Sequence, residues 1–120
     1  MLRGAEILSI PVIVTEQYVK AFGPTVAELS SVYPSGTTVL PKTRFSMCTP
    51  EVEVVMKRLG KTQVVLVGVE AHVCVLQTTL DLLKNGYEVH LLVDGVSSSR
   101  PLERTVALKR MARAGAYLKS

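Results

Sequence analysis

Two cysteines in 120 residues, Cys48 and Cys74, are too few and too separated for a disulfide framework, and neither sits in a Cys-x-x-Cys pair. A reducing compartment is therefore expected. Aromatic residues make up only 5% of the chain, and no recognised nucleic-acid-binding motif accompanies the formal net charge of +4. The basic residues are scattered; the densest group, Lys109, Arg110 and Arg113, reads as a solvated helix face, so a nucleic-acid partner is not expected. No apolar run approaches membrane-spanning length, and the N-terminus lacks the hydrophobic segment of a secretory signal. The expected location is cytoplasmic. A very short mitochondrial targeting sequence at Met1-Leu2-Arg3 is the alternative, opposed by Glu6 and the immediate helical pattern.

What the chain has is apolar material, 48% of its residues, enough for one core in a single domain spanning residues 1–120. It also has alternation without linkers or repeats. Pro11 to Thr15 is a β-branched run that reads as a strand, followed by a polar loop through Pro41 with a short helix at Thr25 to Leu29. Thr49-Pro50-Glu51 gives a capping hydroxyl, a proline at the first helical position and an acid in the first turn, so a helix should run to Leu59 and stop at Gly60. Gln63 to Val69 reads as a strand whose apolar residues are continuous rather than alternating, the pattern of a parallel strand covered on both faces. From His72 the period turns helical, with Val73, Leu76, Leu80 and Leu83 on one stripe and Gly86 as the stop. Tyr87 to Asp94 is a second buried strand, and Ser97-Ser98-Ser99 is expected to cap a helix carrying Leu102, Val106, Leu108 and Met111 as far as Gly115. Strand and helix in alternation imply an α/β fold: three layers, α/β/α, around an open parallel sheet.

The ends differ from this pattern. Leu2 to Leu8 reads as a helix with no strand before it, and Ala116-Tyr117-Leu118 as a strand at its start, so a first strand and part of a last strand are expected to be missing.

Cys74 falls just beyond the strand ending at Val69, in GVEAHVCV, where open parallel sheets place their ligands. Backbone N–H groups at the start of the following helix would stabilise a thiolate and could donate to an oxyanion. On position alone, packing competes with catalysis. Lys42, in PKTRFS, is a candidate counter-charge, although on its own it would be read as a surface lysine.

GVEAHVCV after VVLV, the upstream VTEQY and PKTRFSM, and the downstream VDGVSSSRPLERTVALKRMARAGA together resemble the isochorismatase-like cysteine hydrolases, most of all the isochorismatase domain-containing proteins. The likeness runs from about Leu2 to Leu118. It implies a Rossmann-like three-layer fold and a catalytic Asp, Lys and Cys, with Cys74 matching the nucleophile and Lys42 the lysine. It further implies a cis peptide at Val69-Glu70 and oxyanion donors at the N–H groups of Val73 and Cys74. A small-molecule substrate with an amide, carbamoyl or related bond follows, as does a homo-oligomer. The family aspartate, in an apolar-Asp-x-Gln motif on the first strand, has no match here; Asp81 and Asp94 lie in other elements. By resemblance the absent strand would be central, between those at Val12 and Val65, and this chain alone would be weakly active or inactive.

Around the pair, Glu16, Gln17 and Tyr18 follow the first strand and are read as pocket-lining, as are Phe45 as an apolar wall and His72 at the rim or as a cap. His90 and Cys48 read as structural. The metal-binding Asp-x-His cluster of nicotinamidases is missing, so neither metal nor cofactor is expected. The serine run lacks the Gly-x-Ser-x-Gly elbow of serine hydrolases. Two other classes compete with a hydrolase: a noncatalytic oligomerising or partner-binding protein, and a basic RNA-associated or ribonuclease-like protein.

Overall fold

The computed structural model describes all 120 residues. The elements in chain order are α1 (Leu2–Ile7), β1 (Ile13–Gln17), α2 (Val19–Phe22), α3 (Ala27–Ser30), β2 (Thr38–Lys42) and α4 (Pro50–Leu59). They continue as β3 (Gln63–Val69), a π-helical turn (Ala71–Val75), α5 (Leu76–Lys84), β4 (Glu88–Ser97), α6 (Pro101–Ala114) and β5 (Tyr117–Lys119).

The class is α/β with every strand pair parallel, but the strands form two sheets rather than one: β1-β2, and β3-β4-β5. The inner edges, β1 and β3, are not hydrogen-bonded to each other. Both line a cleft of about 1040 Å³ between the sheets.

Local chemistry explains most boundaries. The Thr49 side chain accepts the Val52 N–H at 3.3 Å, Pro50 opens α4, and Gly60 closes it with a left-handed φ of 66°. The segment Thr38–Lys42, read from sequence as loop, is strand β2; Pro41 is tolerated because β2 is an edge strand and pairs only with β1. The serine run does not cap α6. Arg100 holds the N-cap position without a side-chain bond, and Pro101 starts the helix.

The core joins β3 and β4 to the π turn, α5 and α6 through Leu66, Val75, Leu82, Val89, Leu91 and Met111. The face that α5 buries differs from the expected stripe: Leu76, Thr78, Thr79 and Leu82 are inside while Leu80 is exposed. The wider π turn preceding α5 carries an additional residue per turn and so rotates the later positions about the axis. His90 stays within β4, its Nε2 2.7 Å from Glu88 Oε1 and its ring stacked on Tyr117 at 5.1 Å between centroids. No helix is long and apolar enough to cross a membrane.

Candidate active site

Parallel pairing of β1 with β2 puts Gln17 opposite Lys42 at the carboxyl ends of the two strands. From there the Lys42 side chain turns inward and is only 7% exposed. Its ammonium donates to the Gln17 Oε1 and to the carbonyls of Arg44 (2.9 Å) and Phe45 (2.8 Å), and it stands 3.7 Å from Cys74 Sγ. No carboxylate forms an ion pair with it. A buried cation surrounded by neutral acceptors is under-compensated. The Cys74 sulfur is the one member of its shell that becomes an anion by losing a proton.

Cys74 lies in the π turn after β3, half-buried. The Val69-Glu70 peptide at the strand end is cis. The N–H groups of Val73 and Val75 both donate to the Glu70 carbonyl at 3.2 Å. The Val73 N–H, expected as an oxyanion donor, is thus engaged with the Glu70 carbonyl.

Of the expected pocket residues, Glu16 and Gln17 line the cleft together with Lys42, Cys74 and Asp94. Tyr18, Phe45 and His72 do not. Tyr18, with a left-handed φ of 39°, turns its ring edge onto Phe22. Phe45 exposes its ring and contributes its carbonyl instead. His72 faces away, its Nδ1 2.9 Å from Ser98 Oγ and its Nε2 3.7 Å from Glu70 Oε2. The Glu70 carboxylate accepts the Ser99 N–H, and that bond holds its carboxyl below the usual range. The serines thus tie two strand-end turns together rather than capping a helix.

Gln17 does more than line a wall. Its Nε2 donates to the Thr43 carbonyl at 3.1 Å while its Oε1 takes a Lys42 proton, so the amide holds both the end of β2 and the Lys42 side chain. Sequence gave no signal for this, because the contact is made across 25 residues. Cys48 is buried, and burial pushes its thiol up.

Glu16 Oε2 accepts the Thr25 N–H at 2.6 Å, which holds its carboxyl below the ordinary carboxylate range. A carboxyl depressed by folding binds its proton more weakly in the native than in the unfolded chain. Its contribution is complete above the unfolded value and is lost as pH falls through the native one. Glu16→Gln should accordingly lower the urea midpoint at about pH 7, with the gap to wild type closing at about pH 3. A gap independent of pH would show that the amide merely packs differently.

The whole chain, residues 1–120, matches the isochorismatase domain. Isochorismatase domain-containing protein 1 of Salmo salar is 52% identical over 116 residues, covering 96% of this chain and 40% of that protein. Among solved structures, one described as the MAR1 ribonuclease of Caenorhabditis elegans superposes with a TM-score of 0.94 at 50% identity, covering 99% of this chain and 61% of that one. The YcaC product of Escherichia coli, described as an octameric hydrolase of unknown specificity, superposes with a TM-score of 0.87 at 28% identity, covering 98% of this chain and 59% of that one. The chain thus spans less than two thirds of the length of each of these relatives.

Proposed function

The chain belongs to the isochorismatase domain family, and from that premise we propose that Cys74 is the nucleophile of a cysteine hydrolase acting on a small amide, carbamoyl or related C–N bond. The observation that carries this reading is the buried Lys42 ammonium, without a carboxylate partner, directed at Cys74 Sγ from 3.7 Å beside the cleft. Lys42 stabilises the thiolate, as a cation beside a cysteine does. The sulfur then forms a bond to the carbonyl carbon, and the carbonyl π pair moves onto oxygen, with the Cys74 N–H as the candidate donor toward it. Collapse breaks the C–N bond. The departing nitrogen takes a proton from solvent, to which the Cys74 thiol has given up its own, and the acyl group remains as a thioester. Water adding to the thioester releases the acid and restores the thiol.

The second half needs a base to take a proton from water. Glu16 is engaged with the Thr25 N–H, while Asp94 lines the cleft without contacting Cys74 or Lys42. Acylation should therefore outrun deacylation. With p-nitrophenyl acetate we expect a burst of about one equivalent of nitrophenol followed by turnover at least tenfold slower, with the acetyl group on Cys74 by peptide mass spectrometry. Cys74→Ser should abolish the burst. Acetylation divided equally between Cys74 and Cys48 would remove the basis for the reading.

An RNA-cleaving activity is the second reading, favoured by the likeness to the Caenorhabditis elegans protein. Lys109, Arg110 and Arg113, exposed on α6, lie outside the cleft that holds Cys74. The burst experiment separates the two, since RNA cleavage does not require an acyl-Cys74. Self-association is proposed on the strength of the octameric Escherichia coli relative.

A further inference from the structure

Thr78 is 2% exposed, one turn after Cys74, and both functions of its hydroxyl are in use. Oγ1 donates to the Cys74 carbonyl at 2.6 Å and accepts the Met47 N–H at 2.9 Å. Met47 belongs to the loop between β2 and α4, the same loop whose Arg44 and Phe45 carbonyls hold the Lys42 ammonium. These contacts close a ring. From Cys74 Sγ it passes to Lys42 Nζ, to the loop carbonyls, along the loop to the Met47 N–H, through the Thr78 hydroxyl and back to the Cys74 backbone.

We propose that Thr78 is a positioning residue that sets the separation of the Cys74 sulfur from the Lys42 ammonium. This rests on the reading of Cys74 and Lys42 as the working pair. Within the ring, the loop carbonyls and the Met47 N–H are backbone groups present whatever the side chains, so the sequence controls closure at Thr78. The neighbouring Thr79 is the contrast. It is 0% exposed, yet its hydroxyl has no hydrogen-bond partner and takes no part in the ring.

Valine at position 78 keeps the volume and β-branching of threonine but removes the donor and the acceptor together. The Met47 N–H, left without its acceptor, must seek water, because an unpaired buried donor is costly. That shift carries the Arg44 and Phe45 carbonyls with it, and Lys42 follows them away from the sulfur. Serine keeps the hydroxyl and restores the ring.

The test is the rate of iodoacetamide labelling of Cys74 itself at neutral pH, with Cys48 in the same molecule reporting separately on opening of the chain. Thr78→Val should lower the Cys74 rate about tenfold, the equivalent of one well-made hydrogen bond. Thr78→Ser should bring it back to within about threefold of wild type, and Thr79→Val should leave it unchanged. A Thr78→Val protein with altered urea stability and faster Cys48 labelling but an unchanged Cys74 rate would reduce Thr78 to a packing residue, and so would failure of serine to rescue. Should the valine variant not fold, Thr78→Ala is read in the same way. Lys42→Met, measured alongside, keeps the two hypotheses apart. If it leaves the Cys74 rate unchanged, the Cys74–Lys42 pair itself is wrong; if it lowers that rate while Thr78→Val does not, the positioning role alone falls.

Discussion

Replacing Lys42 with methionine is expected to slow iodoacetamide labelling of Cys74 at neutral pH by about ten- to hundredfold. The reacting species is the thiolate, and Lys42 Nζ is 3.7 Å from the sulfur. At such a separation, two unit charges near a protein surface interact by up to about 4 kcal/mol. Solvent reaching the half-buried sulfur reduces this, which leaves roughly one to two orders of magnitude in the labelling rate. Methionine keeps an unbranched apolar stem and removes the charge. It also strips a donor from Gln17 Oε1 and from the Arg44 and Phe45 carbonyls, so some loss of stability, about 1 to 3 kcal/mol, should accompany the kinetic effect. Cys48 separates the two effects. It is buried, its thiol is pushed up, and it labels only as the chain opens, so destabilisation alone would accelerate Cys48 while leaving Cys74 fast. Equal rates for Cys74 before and after the substitution would mean that the short contact does not activate the sulfur.

Leu91→Ala should have the largest effect on stability, about 3 kcal/mol within a usual range of about 2 to 5. Leu91 is 0% exposed in the central strand of the three-stranded sheet, paired with Leu66 on one side and Leu118 on the other. Truncation there removes buried methyl groups and leaves a cavity that two flanking strands cannot collapse to fill. A domain of this size has only about 5 to 15 kcal/mol in total. The urea midpoint should fall by roughly 1 to 2 M, whereas Leu102→Ala, on a side chain 73% exposed, should stay within about 0.5 kcal/mol of wild type. Similar midpoints for the two variants would place the core elsewhere.

Much of the architecture was legible one residue at a time. Strand β3 ends where the apolar run does, and α4 lies between its caps Thr49 and Gly60 because a hydroxyl, a proline and a left-handed glycine act on their immediate neighbours. The isochorismatase likeness likewise came from contiguous segments. Strand β2 escaped because Pro41 argues against a strand, and only pairing with β1 along one edge makes it acceptable. The buried face of α5 was misread because a π turn leaves no mark in the apolar period.

The sequence by itself determined the parallel α/β class, the order of most elements and the position of Cys74 at a strand-to-helix junction. These follow from propensity, capping and periodicity, whose range is a few residues. Tertiary structure alone decided what Cys74 would meet. Lys42 reaches the sulfur across 32 residues, and Thr78 reaches Met47 across 31. Such contacts depend on strand register and on where a loop's carbonyls fall in space, and no local pattern encodes either until the chain has folded.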